Sequence, residues 1–150
     1  MSQSLSKVYV HITFSTKNRH PFIDDNMKQD LWTYLGGICK SLECNPVRIG
    51  GHNDHVHICC LLSKKIAQVE LLGGVKTGSS KWLKTKGARY NDFHWQDGYG
   101  IFSVNPSEVE KVVDYIDGQD DHHKKHTFQE ELLAFLKKYK VEYDERYLWD

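Results

Sequence analysis

Hydrophobic and polar residues alternate near the start of the chain, in the segment KVYVHITFS. The hydrophobic positions recur at every second residue and are Val8, Val10, Ile12 and Phe14. The intervening positions carry polar or amphipathic side chains, among them His11. Because side chains at positions i and i+2 share one face of a β-strand, this alternation predicts a strand that is covered on one side.

Three later segments also have the composition of strands. PVRIGG (46–51) predicts a short strand that ends in a glycine turn, and HVHICCLL (55–62) predicts a strand buried in the middle of a sheet. FHWQDGYGIFSV (93–104) predicts a hairpin or a bent strand around its Asp-Gly pair.

Apolar residues at helical spacing predict helices at 24–43 and from residue 66 to about residue 86, although three glycines weaken the second pattern. Two start signals follow. Asn105 precedes a proline and predicts the N-cap of a third helix, and Thr127 predicts the start of a last helix that runs through Lys138.

The predicted order is β-α-β-β-α-β followed by helices. This order predicts an α+β fold of the ferredoxin-like, split β-α-β type, an antiparallel sheet with helices on one face plus C-terminal helices. A length of 150 residues fits a single domain over 1–150. Element order alone does not determine a function.

Composition narrows the class of protein. Hydrophobic residues make up 39% and charged residues 27% of the chain, which is typical of a globular protein. A formal net charge of +0 argues against a general polyanion binder but leaves local basic patches open. The longest apolar run, 58–62, is too short to span a bilayer, and the N-terminal residues do not resemble a signal peptide, so we expect a cytoplasmic protein without a membrane partner. The four cysteines are expected to be reduced and mostly buried.

The segment GGHNDHVHICC (50–60) carries the first candidate chemistry. His55 and His57 flank one valine, so on a strand both imidazoles project from the same face. Two such rings form a bidentate grip for a metal ion, and Gly50 and Gly51 would allow a ligand to approach the backbone closely. Taken alone, the pattern more often describes two hydrogen-bonded histidines on a sheet face.

A second candidate pattern lies in the helix that follows Asn105. Tyr115 and Gln119 are one turn apart on the same side of that helix. A tyrosine is a weak nucleophile at neutral pH but becomes useful where a metal polarises the group it attacks. Gln119 would add an amide oxygen as a third ligand. By itself, this spacing also describes a half-buried tyrosine beside a solvated glutamine.

Together these patterns resemble the HUH-type single-tyrosine transposases of small bacterial insertion sequences, including the REP-associated tyrosine transposases. HVH is similar to the motif in which two histidines flank a hydrophobic residue, and YIDGQ is similar to the Tyr-x-x-x-Gln of the tyrosine helix. The resemblance extends in order over nearly the whole chain through VYVHITFSTKNRHPF, GGHNDHVHI, SSKWLK, WQDGYGIFSV and HHKKHTFQEE. The chain departs from the family at 69–82, where three glycines replace a continuous charged helix.

The resemblance implies a transposase that cleaves and rejoins single-stranded DNA at hairpin-bearing element ends. It implies Tyr115 as the nucleophile of a 5′-phosphotyrosine intermediate, and a Mg²⁺ or Mn²⁺ ion held by His55, His57 and Gln119. It also implies a homodimer in which the tyrosine helix of one subunit completes the site of the other. No proton acceptor is assigned, since Asp54 on the strand would point away from His55. The later histidines (His122, His123 and His126) fit proton shuttles or a solvated helix end.

Basic residues cluster in two stretches that we expect to contact DNA. The predicted nucleic-acid-binding residues are Lys17, Arg19, Lys76, Lys81, Lys84, Lys86, Arg89 and Trp82. Aromatic residues beside the second stretch, namely Trp82, Tyr90 and Trp95, are suited to stacking on exposed bases. For any one of these residues, a solvated helix face or a core position is an equal interpretation.

Three other functions stay open. A domesticated REP-associated endonuclease would keep the same residues and differ in its genomic surroundings. A non-catalytic module that binds single-stranded nucleic acid would lose nothing on replacement of Tyr115. A metal phosphodiesterase that releases its product to water would form no lasting covalent adduct.

Overall fold

The computed structural model describes residues 2–150 and contains a four-stranded antiparallel sheet in the order β2-β3-β1-β4. The strands are β1 (Tyr9–Ser15), β2 (Asn45–Gly51), β3 (His55–Leu61) and β4 (Gly100–Val104). β1 pairs with both β3 and β4, and β2 pairs with β3. This is the strand order of the split β-α-β arrangement, so the α+β, ferredoxin-like prediction is confirmed.

Two long helices cover one face of the sheet. They are α1 (Asp25–Ser41) and α2 (Gln68–Lys84). The N-cap of α1 is Asp24, whose side chain accepts a hydrogen bond from the Met27 amide. The core between them and the sheet contains the alternating apolar residues of β1, including Ile12 and Phe14, which are fully buried. This core supports one face of the sheet, and the other face of the sheet carries the polar side chains described below.

The helix α2 runs without a break through its three glycines. A Cβ at Gly74 would lie 2.9 Å from the Leu42 side chain, and one at Gly78 would lie 2.9 Å from the Ile38 side chain. The small residues therefore let α2 pack closely against the end of α1. The weakening expected from glycine propensity is offset by this tertiary contact.

Three shorter helices cover the other face. They are α3 (Val109–Asp117), α4 (Gln119–His122) and α5 (Phe128–Lys138), and α3 is preceded by a 3-10 turn over Pro106–Glu108. Both predicted start signals are confirmed: the Asn105 side chain caps the turn, and Thr127 forms a capping box with Glu130. The expectation that β1 is covered on one side only is wrong, because α3 and α5 also bury its polar face, including His11.

The segment 93–104 does not form a hairpin. Trp95 makes an isolated bridge to Thr16, and regular pairing with β1 resumes only from Gly100. The Lys76 ammonium donates hydrogen bonds to the carbonyl oxygens of Gln96, Asp97 and Gly98 within this bend. The bent strand was therefore the better of the two predicted alternatives.

All four cysteines carry free, buried thiols. Burial raises the pKa of the Cys39 thiol to about 12, which leaves it protonated and unreactive at neutral pH. Within residues 2–150, none of the helices combines the length and the apolar character that crossing a membrane requires.

The two glycines before β3 have different roles. Gly51 has φ +153°, and a Cβ there would lie 2.3 Å from the His55 carbonyl oxygen, so the predicted tight turn is present. At Gly50, the close approach expected of a ligand is made by the chain's own α3: a Cβ would lie 2.7 Å from Ile116 Cγ2 and 3.1 Å from the Ile116 carbonyl oxygen. Gly50 thus sets the distance between β2 and the helix that carries Tyr115.

Replacing Gly50 by alanine is expected to destabilise the protein by about 1–3 kcal/mol, because the added methyl group overpacks a contact that includes backbone. Urea unfolding measures this change. The matched variant is Gly37→Ala on α1, where a Cβ would meet no atom within 4 Å. That replacement should stabilise the protein by about 0.5–1 kcal/mol, since alanine favours the helix over glycine. Equal stability of Gly50→Ala and wild type would contradict the packing role of Gly50.

Candidate active site

The two histidines of the HVH segment lie side by side on β3 and project from the same face of the sheet, toward α3–α5. Both side chains are fully buried. His55 Nε2 lies 2.8 Å from Gln119 Oε1, and His57 Nε2 lies 2.6 Å from Glu131 Oε1. Burial lowers the pKa of His57, which favours the neutral imidazole that binds metal ions.

Tyr115 reaches the same cluster from α3. Its phenol donates a hydrogen bond to Glu131 Oε2, and its ring centroid lies 5.6 Å from that of His57. Gln119 does not continue α3: the helix ends at Asp117, and Gln119 begins α4 after Gly118. The side chains of Tyr115 and Gln119 nevertheless stay on one side, as the i, i+4 spacing predicts.

Glu131, on α5, is the residue that the sequence analysis missed. Its side chain is 1% exposed and has four hydrogen-bond partners. Besides His57 and Tyr115, it accepts hydrogen bonds at Oε2 from Gln119 Nε2 at 3.3 Å and His123 Nε2 at 3.1 Å. Burial alone would raise the pKa of Glu131, but the histidines beside it hold that pKa well below its usual range. Glu131 is therefore a buried carboxylate at the centre of the cluster.

The later histidines differ in their surroundings. The side chain of His123 is 4% exposed, and its Nε2 atom lies 2.9 Å from Gln119 Oε1. Burial alone would lower the pKa of His123, but the hydrogen bond to Glu131 raises it above the ordinary value. The solvated helix end is therefore wrong for His123, whereas His126 is exposed and fits it.

Each of the paired histidines contacts a further polar side chain at its Nδ1 atom, and this contact orients the ring. Asp54 Oδ1 lies 2.7 Å from His55 Nδ1, and His11 Nε2 lies 2.8 Å from His57 Nδ1. The expectation that Asp54 points away is wrong, because Asp54 precedes β3 and is not bound by the alternation of the strand. Burial, together with His57, lowers the pKa of His11 to about 3, so this ring is neutral.

The arrangement has the donor chemistry of a cation site. When Asp54 accepts the Nδ1 proton of His55, the His55 Nε2 lone pair faces the Gln119 amide oxygen at 2.8 Å. A cation between these two acceptors would satisfy both lone pairs. Ligand atoms of His55, His57 and Glu131 all lie within 4.8 Å of one another. Two imidazole nitrogens, an amide oxygen and a carboxylate oxygen therefore converge, and these donors fit a divalent ion.

The predicted DNA-contacting residues lie apart from this cluster, and several of them have other partners. Lys76 is held by three carbonyl oxygens as described above. Arg89 pairs with Asp24. Trp82 stacks on Tyr34 with ring centroids 4.6 Å apart, and the Lys86 ammonium lies 5.0 Å from its ring. The residues with exposed side chains are Lys17, Lys81, Lys84, Lys86 and Arg89, whereas Arg19 is partly buried.

Two of the three aromatic residues proposed for base stacking belong to the core. Tyr90 is 3% exposed and Trp95 is 5% exposed. Trp95 also donates from its indole nitrogen to Ser79 Oγ at 2.9 Å. The stacking prediction is therefore wrong for Tyr90 and Trp95, and only Trp82 keeps a partly exposed ring.

Comparison with known proteins shows which family the sequence and the fold resemble. The sequence model of the family described as "Transposase IS200 like" matches residues 4–119. None of the curated proteins matches the sequence. A candidate transposase from Deinococcus radiodurans R1 has a similar fold, with TM-score 0.62 and 19% identity over 79% of this chain and 98% of the other. A REP-associated tyrosine transposase bound to a REP hairpin has TM-score 0.60 and 16% identity over 82% of this chain and 74% of the other.

The family match covers the four strands and both paired histidines, and it ends at Gln119. The two solved structures share the fold around them. The chain therefore belongs to the IS200-like transposase family.

Proposed function

We propose that this chain, acting as one domain over residues 1–150, cleaves and rejoins single-stranded DNA at hairpin-bearing element ends through a 5′-phosphotyrosine on Tyr115. The observation that carries the proposal is the convergence of the Tyr115 phenol with His55 and His57 at one buried carboxylate. The fold resembles that of a REP-associated tyrosine transposase bound to a REP hairpin. This similarity supports hairpin-bearing DNA as the substrate.

The cofactor we propose is Mg²⁺ or Mn²⁺, held by His55, His57 and Gln119, with Glu131 Oε1 as a further donor. Imidazole ligands alone would favour zinc or copper, but the phosphate of the substrate is a hard ligand that suits magnesium and manganese. When bound, the cation supplies positive charge that polarises the scissile phosphate and stabilises the departing oxygen.

The reaction itself is carried by Tyr115. Its phenolic oxygen forms a bond to the scissile phosphorus while the bond from phosphorus to the 3′ oxygen breaks. The departing 3′ oxygen takes up a proton from water, which leaves a phosphotyrosine on the 5′ side and a free 3′-OH. Attack by a different 3′-OH breaks the phosphotyrosine bond and joins the new strands. Because one phosphate ester replaces another, the exchange needs no nucleotide cofactor.

The Tyr115 phenol has a hydrogen-bond acceptor in the structure that can take its proton. Burial, and next the neighbouring Glu131 carboxylate, raise the pKa of Tyr115 above its ordinary value, so the phenol is un-ionised at rest. Its hydrogen bond ends on Glu131 Oε2, which is placed to receive the proton as the phosphorus is attacked. Glu131 is thus the acceptor that the sequence left unassigned.

The site is complete within one chain, which supports cleavage by the tyrosine of the same subunit. The predicted homodimer, with the tyrosine helix completing the partner's site, would require α3 to leave its contact with β2 at Gly50.

For the nucleic acid, we propose that the exposed lysines Lys81, Lys84 and Lys86 and the ring of Trp82 bind the hairpin strand, with Lys17, Arg19 and Arg89 as further contacts.

The test is a covalent-capture experiment. The protein is incubated with labelled single strands that carry the element's own hairpin ends, with Mn²⁺, and is then denatured. We expect a protein–DNA band that resists denaturation and disappears with EDTA. Absence of the band across both ends in Mn²⁺ would overturn the proposal. In the same assay, a mixture of Tyr115→Phe and His57→Ala chains stays inactive if the site acts within one chain, and regains the band if two chains share it.

A further inference from the structure

We propose that the chain binds a second divalent cation, held by His122, His123 and Glu131, beside the cation of the paired histidines. Two imidazole nitrogens and one carboxylate oxygen form the ligand set of catalytic zinc sites, so the expected occupant is a first-row transition ion such as Zn²⁺ or Mn²⁺. This inference shares Glu131 with the site of the proposed function and deepens it by adding a second metal position.

The carboxylate of Glu131 faces two different sets of imidazoles with its two oxygens. Oε1 lies 2.6 Å from His57 Nε2 and 3.6 Å from His55 Nε2. Oε2 lies 3.1 Å from the Nε2 atoms of both His122 and His123. The ligand atoms of this second group also lie within 4.8 Å of one another. A carboxylate with nitrogen donors at each of its oxygens is the geometry of a bridging ligand.

His122 supplies an independent observation. Its Nε2 atom is buried and, among residues 2–150, has no hydrogen-bond partner, since the 3.1 Å contact with Glu131 Oε2 does not meet the geometry of a hydrogen bond. A buried polar atom without a partner is rare in native proteins and requires an explanation. A cation between this nitrogen and the carboxylate would provide the missing partner.

The local fold explains why two consecutive residues aim at one carboxylate. The short helix α4 ends at His122, and His123 is its C-cap, so the backbone leaves the helix between the two rings. The rings lie 4.9 Å apart at 84° and both reach Oε2. The Tyr115 ring lies 5.4 Å from that of His122, so a second cation would lie beside the nucleophile. Paired cations of this kind clamp the attacking and leaving oxygens in phosphoryl transfer.

The test counts metal ions in the protein without DNA. After equilibrium dialysis against Mn²⁺, and separately against Zn²⁺, we expect two ions per wild-type chain and one per His122→Ala chain. His122→Asn, which also removes the nitrogen donor, serves as a second variant if the alanine variant has an altered melting temperature. The matched control is His126→Ala, because this exposed histidine lies 5.1 Å from the His122 ring but does not belong to the group of ligand atoms around Glu131, and its own ion-pair contact is with Glu130. It should keep two ions.

The electron paramagnetic resonance spectrum of the Mn²⁺-loaded protein gives a second measurement. Two ions bridged by one carboxylate give a spin-coupled signal, and His122→Ala should give the six-line signal of an isolated ion. One ion per wild-type chain, or two ions that persist in both His122 variants, would overturn the second site. A single ion together with a covalent adduct would leave the proposed function intact, whereas two ions without an adduct would contradict that function and not this site.

Discussion

Replacing Tyr115 by phenylalanine is expected to abolish the covalent protein–DNA adduct. The variant lacks only the phenolic oxygen, and its ring can keep the edge contacts with His57 and Phe135. Loss of a covalent nucleophile lowers turnover by on the order of 10⁴- to 10⁶-fold, because no neighbouring group takes over the bond to the substrate. The measurement is the rate of formation of the denaturation-resistant band in Mn²⁺, with binding of the labelled hairpin strand as a parallel readout that should be unchanged.

Tyr139→Phe is the matched control. Tyr139 follows α5 and stacks on Phe102, with ring centroids 4.7 Å apart, and its ring lines one surface groove together with Tyr115 and His11. Its replacement should leave the adduct rate within about twofold of wild type, since surface substitutions of this size change little. Stability of Tyr115→Phe should fall by about 1.5–3 kcal/mol, the net contribution of a hydrogen bond to a charged group. An adduct at the wild-type rate in Tyr115→Phe would mean that another residue is the nucleophile.

The shared face of the paired histidines and the shared side of Tyr115 and Gln119 could be predicted because each depends on a local period, whereas their assignment to one site rested on the family resemblance. Alternation on β3 puts His55 and His57 on one face whatever the rest of the chain does. Spacing of one helical turn puts Tyr115 and Gln119 on one side, and this relation persists although the helix breaks at Gly118. Such short-range geometry is fixed by the backbone, and tertiary packing then decides only what the residues face.

Glu131 could not be paired with these residues from the sequence, because the contact with His57 spans 74 positions. A signal was nevertheless present. The buried stripe of α5 contains Phe128, Leu132 and Leu136, and Glu131 falls within it at helical spacing, so one charge faces the core. A buried carboxylate requires cationic or hydrogen-bonding partners, and that requirement predicts a polar cluster opposite it. The neighbouring Glu130 made this signal hard to recognise. Glu130 forms the capping box with Thr127, and this role alone accounts for acidic residues in the first turn of α5.

The DNA-contacting residues were harder to predict, because sequence composition does not distinguish an exposed lysine from one bound by backbone. Lys76 lies on α2 ahead of the exposed Lys81 and Lys84, but its ammonium meets a turn that is 20 or more positions away. Tyr90 and Trp95 follow the same basic stretch and belong to the core. Only the tertiary arrangement separates these residues from Lys81 and Lys84, which stay exposed.

Glu131→Gln is expected to have the second largest effect. The amide keeps the size of the side chain but loses the negative charge that faces His57 and His123 and accepts from Tyr115. The affinity for Mn²⁺ should fall by at least about 10- to 100-fold, the loss found when groups that support metal ligands are replaced. Adduct formation should fall by about 10²- to 10³-fold, since the phenol also loses its proton acceptor. Isothermal titration with Mn²⁺ and the adduct rate measure the two effects separately.

Glu130→Gln tests whether these losses belong to the buried position. Glu130 is the adjacent residue on α5, is exposed, and contributes to the capping box with Thr127. Its replacement should cost at most about 1 kcal/mol of stability through the cap and leave the affinity for Mn²⁺ unchanged. Breaking a buried charged pair costs roughly 3–5 kcal/mol, so Glu131→Gln should also unfold at clearly lower denaturant. If both variants bound Mn²⁺ as wild type does, Glu131 would be a structural partner of the imidazoles only, and the cation would rest on His55, His57 and Gln119 alone.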